Sequence, residues 1–371
     1  MSLVALRVFL NGQPASDEQL ELLREVRVDQ AIGVAAEGEL DIDLTLDDQG
    51  LWSTIEAPFA QAFQRVRVEV KIGEGDYSAL IDGPIVAQRF ELSAGPGESA
   101  LTLVVHDDSV LLSQTEQVAL FEDMAAHEIA QALISDGGLI PDVQSVPAAG
   151  AAHTRFVVQR GSAMQLLREL ARRNGMFVHV KPGELPGQSV CVFARPSLAA
   201  DDAAELLLIG AERNVQKFSA QLDALQPLAA RAGSVRVSDK QLLDSRTDAP
   251  VVEALGDETV HAMLSPSALT LMSDVREEQA DLDAATTAAV DLSSFAYTAS
   301  VELDANDYDQ SLAPYRVVNV SGAGSQLGGA YLVSRVHHVI GDGHYRQNLT
   351  LKRNARSAGG ASAGGLLGGV F

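Results

Sequence analysis

Strict period-two patterning, repeated along the first hundred residues, limits what the N-terminal part of this chain can become. Leu40, Ile42, Leu44 and Leu46 alternate with Glu39, Asp41, Asp43 and Thr45, and Val66, Val68, Val70 and Ile72 alternate with Arg65, Arg67, Glu69 and Lys71. Val4, Leu6, Val8 and Leu10 keep the same rhythm, with Phe9 blurring the polar side, and Leu101, Leu103 and Val105 resume it after a Gly95-Pro96-Gly97 turn. Successive side chains of a strand point to opposite faces, so each segment needs one dry face and one wet one. Several antiparallel strands of this kind make a small barrel or sandwich. Glu39, Asp41 and Asp43 fall on the wet side.

The period changes near Asp108. Leu120, Met124, Ile129, Ala132 and Leu133 fit a helix ended by Gly137-Gly138, and a Pro- and Ala-rich loop is expected over 141–152. A compact cassette follows. Phe156 to Val158 reads as a strand. Ser162 opens a helix as N-cap, with Gln165 completing a capping box. Leu166, Leu167, Leu170 and Ala171 share one helical face, Arg172 and Arg173 suit the last turn, and Gly175 supplies a left-handed stop. Met176–Val180 and Val190–Phe193 then flank a Lys-Pro-Gly-Glu-Leu-Pro-Gly turn. Residues 198–204 read as a linker. A second β-rich block runs over 205–353, interrupted around 274–292 by an alanine-rich helix suited to close packing on a sheet. The tail after Arg356 is Gly- and Ala-rich but ends in the apolar residues Leu366, Leu367, Val370 and Phe371.

Two motifs carry a resemblance. The first is Gln159-Arg160-Gly161-Ser162, Leu166-Leu167-Arg168, Leu170-Ala171-Arg172 and Gly175-Met176, followed by Phe193-Ala194-Arg195-Pro196. The second runs from Val317 to Gly322, through Tyr331 to His338 and the Gly341–Tyr345 turn, to Leu349-Thr350-Leu351. In this order and separation they resemble the late control gene D family of tailed phages and the N-terminal hub region of VgrG proteins of type VI secretion. The resemblance implies a mainly β, α+β fold: two small antiparallel β-barrel tube domains flanking a helix-plus-hairpin insert. The divisions expected are a first barrel over 1–107, an insert over 108–204, a second barrel over 205–356 and a flexible tail over 357–371. It also implies a homotrimer presenting six barrels. VgrG-type chains continue into a further barrel and a β-helix, whereas this sequence stops at Phe371, which suits an arrangement with a separate spike protein.

Composition narrows the function classes. A net charge of −23 argues against a nucleic-acid grip, which needs basic faces to displace counterions. Solubility is the plain explanation of the charge; an anionic channel wall that repels phosphates or acidic cargo is the sharper one. The acids crowd between Asp274 and Asp309, where Arg276 is the lone cation. No apolar run is long enough to cross a bilayer, so membrane insertion is not expected, and the start lacks the pattern of a Sec signal. The single Cys191, inside Val190-Cys191-Val192, reads as a packed thiol rather than a nucleophile.

The chemistry-bearing motifs are missing. There is no Walker A loop, GxSxG, HExxH or CxxC. His337 and His338 point to opposite faces of a strand and cannot both hold one ion, although His344 could meet one of them across a hairpin. Asp107-Asp108 and Asp201-Asp202 read as strand ends and loops. A carbohydrate- or receptor-binding module, or a glycan hydrolase, is the reading of another class; a single Trp52 and 5% aromatics count against it.

The expectation is therefore a non-enzymatic baseplate hub with no cofactor and no metal, joining a hexameric tail tube to a trimeric spike and lining the channel for DNA or cargo. Its expected partners are itself, the central spike, the tail tube or a tube-initiator protein, baseplate wedge proteins and the tape-measure protein. Leu366, Leu367 and Phe371 are the expected docking residues for spike or neighbouring subunit, and Glu39, Asp41 and Asp43 the expected lumen-facing acids. The particle would assemble in the bacterial cytoplasm. The hub part of a VgrG-like protein and a distal tail protein of a non-contractile phage are the alternatives.

Overall fold

The computed structural model describes residues 4–357 apart from 47–49, 51, 53, 96, 147–155, 200–202, 204, 237–238, 266–267, 273–278 and 342. The first block holds β1 (Val4–Leu10), β2 (Gln13–Pro14), α1 (Asp17–Glu21), β3 (Leu23–Ala31), β4 (Glu37–Asp43), β5 (Arg65–Ile72), β6 (Ser78–Glu91) and β7 (Ala100–His106). The middle section contains β8 (Glu116–Glu122), α2 (Ala126–Asp136), β9 (Ile140–Val143), β10 (Phe156–Ser162), α3 (Ala163–Arg173), β11 (Phe177–Pro182) and β12 (Ser189–Ala194). The last block begins with β13 (Leu206–Leu207), β14 (Val215–Leu222), β15 (Ala229–Val235), β16 (Leu242–Thr247), β17 (Glu258–Thr259), α4 (Val260–Leu264), β18 (Leu269–Met272) and α5 (Gln279–Ser293). It closes with β19 (Tyr297–Asp304), β20 (Val317–Ser321), α6 (Gly324–Leu327), β21 (Gly329–Gly341), β22 (His344–Arg353) and β23 (Ala355–Arg356).

The fold is mainly β with a few helices, as the alternation and the cassette imply. Its spine is a single sheet in the order β14-β19-β22-β21-β3-β4-β7-β6-β5-β1-β2, antiparallel throughout this path. The two β-blocks keep separate cores. Val26, Leu40, Val68, Ile85, Leu103 and their neighbours fill the first, and Val301, Tyr331, Val333, Leu349 and Leu351 fill the second. They share backbone pairing, however, because β21 is 13 residues long, about 40 Å at strand rise. One part of it pairs with β20, and Arg335 to Gly341 pair with β3. Ile340 and Tyr345, at the far end of the β21–β22 hairpin, belong to the first core. Where two barrels were expected, the main sheet stays open, with a branch through β20 and β13, and no closed barrel forms among the described residues. β3 spends its free edge on β21 and does not close onto β1.

The cassette forms as its sequence dictates. Ser162 Oγ accepts the Gln165 N–H while Gln165 Oε1 accepts the Ser162 N–H, and Gly175 takes φ +64°. Leu166, Leu167, Leu170 and Ala171 are buried, with Met164, on the α2–α3 core that β11 and β12 complete. Two expectations in this section fail. The α2 helix starts only at Ala126, where Glu128 accepts the Ala125 N–H at 2.7 Å, so Leu120 and Met124 precede it. Leu120 lies on β8 and pairs with Val158. Residues 141–143, at the start of the expected 141–152 loop, belong instead to the outer strand β9 parallel to β12, an edge position that tolerates Pro141. The expected alanine-rich helix is α5, which covers one face of the β16-β15-β18 sheet through Leu282 and a Thr286–Ser245 hydrogen bond of 3.0 Å.

Candidate functional site

The solvated face of the long sheet is crossed by a ladder of ion pairs. Core-facing residues of β4 (Leu40, Ile42) alternate with Glu39, Asp41 and Asp43, as the sequence requires. Arg27, opposite Glu39 on β3, is the hub of the ladder: its guanidinium reaches Glu25 at 2.6 Å, Asp41 at 2.8 Å and Glu39 at 3.0 Å. Arg89 on β6 meets Glu39 from the other side. Partial burial works against the Glu39 charge, but hydrogen bonds from Arg89 and Arg27 outweigh it and hold the carboxyl below its usual range. Asp41 also accepts Thr102 Oγ1–H at 2.6 Å, and Asp43 pairs with Arg24. The series continues through Arg335 with Asp29 and Lys217 with Glu302. The three acids therefore stand where the alternation puts them, each matched by arginine. The face is nearly charge-balanced, and the acidic excess of the chain lies elsewhere.

Three polar clusters, two buried and one half-buried, hold the parts in register, and the sequence patterns identified none of them. At the junction of the two blocks, His338 is fully buried while His337 lies on the solvated face. Ser311 Oγ lies 3.0 Å from Tyr345 Oη, Tyr345 Oη 2.9 Å from His338 Nδ1, and His338 Nε2 3.3 Å from Gln30 Oε1; Gln30 Nε2–H donates to the Leu80 carbonyl at 2.6 Å. With Tyr345 donating and His338 protonated at Nε2, every member of the chain is satisfied. Burial, aided by His337, pushes His338 down to about 3 and keeps it neutral.

A second cluster joins the first block to the β11–β12 turn. Arg67 is buried between Glu69 (2.7 Å) and Asp82 (3.2 Å) and also donates to the Gly183 carbonyl at 2.8 Å. Asp82, fully buried, accepts Arg65 Nε–H at 2.7 Å and the Gly187 N–H at 2.9 Å; Arg65 binds Asp108, whose carboxylate accepts Ser189 Oγ–H at 2.7 Å. At the third cluster Tyr315 holds φ +70°, a strained value for a bulky residue. Its ring stacks on His179 (centroids 3.9 Å apart) and its hydroxyl accepts the Gly33 N–H at 2.9 Å, so all three sections meet on one side chain.

Other expected positions resolve simply. Cys191 is buried, and desolvation pushes its thiol up to about 12, so it stays protonated. No group of three His, Cys, Asp or Glu is arranged around a common point among the described residues. Leu366, Leu367 and Phe371 lie outside the described residues. The chain just before them is anchored: Arg353, wholly buried, donates to the carbonyls of Leu255 and Gly328 and to Ser357 Oγ, all within 2.8 Å.

Residues 59–342 match the family model described as the Alg8 N-terminal domain. The chain belongs to the Alg8 N-terminal domain family. No curated protein matches this family member by sequence. Among solved structures it is similar to the tail protein from Neisseria meningitidis MC58, with a TM-score of 0.65 and 13% identity over 94% of this chain and 96% of that one. The 43 kDa tail protein of prophage MuSo2 from Shewanella oneidensis gives 0.64 and 12% over 94% and 97%. An Escherichia coli component of the type VI secretion system, described as structurally similar to T4 bacteriophage tail proteins, gives 0.53 and 11% over 96% and 79%. At these identities the likeness is one of fold, and it spans nearly the whole of this Alg8 N-terminal family member.

Proposed function

We propose that this protein is a structural, non-enzymatic component of a phage tail or tail-like injection particle, and that it serves there as the baseplate hub in the manner of the late control gene D proteins. The observation that carries the reading is the open sheet, in a fold that two tail proteins share along almost their full length. Two of its strand edges are unpaired among the described residues. β14 bonds only to β19, and the Ala87–Glu91 half of β6 bonds only to β7. Free strand edges seek partners. Joined head to tail in three copies, they would close a ring of six similar β-blocks, the symmetry an adaptor between a hexameric tube and a trimeric spike requires.

In such a ring the solvated sheet face lines the lumen, placing Glu39, Asp41 and Asp43 there. Their pairing with Arg24, Arg27 and Arg89 makes the wall charge-balanced rather than repulsive, so polyanionic cargo gains little by adhering to it. The units are a first tube section over 1–107, an insert over 108–204 and a second tube section over 205–356. The 357–371 tail, rooted at Arg353, offers Leu366, Leu367 and Phe371 to the spike. The tube or its initiator, wedge proteins and the tape-measure protein complete the set of partners, in a particle built in the bacterial cytoplasm. The fold likeness to the type VI secretion component supports a second reading, the hub part of a VgrG-like assembly. Electron microscopy of the protein mixed with its tube and spike partners tests the proposal. Three-fold rings seated between tube and spike are expected, and particles that assemble completely without this chain would overturn it.

A further inference from the structure

The outer face of the β16-β15-β18 sheet is apolar and uncovered among the described residues. Leu242 is 78% exposed, Leu271 76%, Val235 50% and Leu269 46%. The inner face of the same sheet, by contrast, packs Ala232, Leu243 and Met272 against Leu282 of α5. Register places Leu269 and Leu271 at one end of the bare face, opposite Ala229 and Arg231, and Leu242 opposite Val235 at the other. Between the two apolar pairs stands Gly233, exposed, where a Cβ would meet only the Leu243 carbonyl oxygen, at 3.8 Å. A glycine inside a strand lets another backbone approach closely. The charges of this face are satisfied within it: Arg231 pairs with Asp244 at 2.9 Å and Arg246 with Asp248 at 2.8 Å. Large apolar side chains grouped in this way mark a docking surface. Its complement is an uncharged segment with two apolar pairs separated by small residues.

We infer that residues 366–371 of the same chain dock on this face. After Arg356 the sequence carries no charged side chain, and it reads Leu366-Leu367-Gly368-Gly369-Val370-Phe371, an apolar pair, two glycines and a second apolar pair. The internal stretches outside the described residues offer no such occupant, since 147–155 and 273–278 hold one large aliphatic residue between them, Val275. Spacing agrees as well. Arg231, beside Leu271, and Val235, beside Leu242, are four residues apart on β15, about 13 Å at strand rise, and so are Leu367 and Phe371 when extended. The point of departure is close. Arg356 pairs with Glu258, α4 follows directly, and His261 Nε2 of α4 lies 3.1 Å from the Leu228 carbonyl oxygen, next to the start of β15. Nine residues from Ser357 to Leu366 reach up to about 30 Å, enough to cross from there to the face. Ordering a Gly-rich tether offsets much of the gain from burial, so the contact is exchangeable and adds little to global stability. The docking itself stands apart from the hub reading. Its use rests on that reading: the sheet shelters the residues offered to the spike until the spike takes them.

Thiol labelling of the purified chain, without partners, tests it. Leu271→Cys is compared in the full chain and in a chain lacking residues 359–371; the native Cys191 is buried and stays out of the reaction. A tail docked two-thirds of the time slows labelling about threefold, so the truncated chain should react faster by at least that factor. Leu120→Cys, on the exposed side of β8, serves as control and should react equally in both chains. In a second arm Leu271→Cys is combined with Leu367→Cys and oxidised in dilute solution, where an intrachain disulfide is expected by peptide mass mapping. Equal labelling of Leu271→Cys in the two chains, with no intrachain disulfide, overturns the docking and leaves the face to another protein. A covalent dimer in place of the intrachain disulfide overturns it in favour of a neighbouring copy's tail. Neither result touches the hub reading, which the assembly experiments decide.

Discussion

Replacing Asp82 by alanine should detach the middle section from the first β-block without unfolding either core. Asp82 is fully buried and has three partners: Arg65 Nε–H at 2.7 Å, Arg67 at 3.2 Å and the Gly187 N–H at 2.9 Å. Arg67 is itself buried, so the substitution leaves a desolvated guanidinium with Glu69 and the turn carbonyls alone. Breaking a buried ion pair from one side typically costs about 3–5 kcal/mol, most of it the penalty of the stranded charge. The orphaned Gly187 N–H adds roughly 1–3 kcal/mol if water cannot reach it. The loss should be local, because the core that supports α2 and α3 contains none of these groups. Hydrogen exchange read by mass spectrometry is the direct assay. Peptides over 183–188 should lose most of their protection, those over 166–171 should keep theirs, and the first urea transition should move to lower concentration. Unchanged protection of the turn and a stability loss under about 1 kcal/mol would refute the claim that this network fastens the two parts together.

Other expectations follow from the same geometry. Leu167→Asp should unfold the middle section, since it places an unpaired carboxylate in the α2–α3 core, while Arg168→Ala should stay within about 0.5 kcal/mol by urea melts. His338 is held neutral at about 3 in the fold but would titrate near 6.5 unfolded, so the unfolded chain binds the extra proton between those values. Stability should thus be complete above about pH 6.5 and fall as pH drops towards 3, by up to about 1.4 kcal/mol per unit from this residue; a His338→Gln variant should lose that part of the slope in pH-dependent denaturation. Deleting residues 359–371 should leave circular dichroism and melting unchanged while weakening spike attachment in pull-downs. Converting Asp41 and Asp43 to lysine should set like charges beside Arg27 and Arg24, leave the ring intact and slow DNA or cargo passage most at low salt, as read by delivery assays across ionic strength.

The local elements were written plainly in the sequence. Ser162 and Gln165 fixed the start of α3, and Leu40, Ile42, Val66 and Val68 fixed both the strands and the side each acid takes, because these signals are periodic and near in sequence. What joins the elements was not legible. Nothing around Leu23–Ala31 announced that β3 would pair with β21, some three hundred residues away, and so fuse two expected barrels into one sheet. Leu120 fitted a helical period by coincidence of spacing; its pairing with Val158 depends on a partner strand the local pattern does not contain. Asp82, Gln30, Tyr315 and His338 sit in strands and turns as ordinary residues, and their roles arise only once distant segments meet. The charge of −23 left solubility and an anionic channel wall as alternatives, but Arg27 and Arg89 stand beside Glu39 on the same sheet face, and composition cannot pair an acid with the arginine across a strand.

The central claim is that three chains close through two free strand edges of one open sheet. Light scattering on the purified protein, alone and then with its tube and spike partners, measures this directly. The account predicts a species of three times the 39.2 kDa chain mass, formed at least when the partners are present. It also predicts that proline at Ala220, whose N–H faces the free edge of β14, prevents that species while leaving the monomer folded. A strictly monomeric chain at high concentration with both partners present, or a trimer indifferent to the proline, would contradict it.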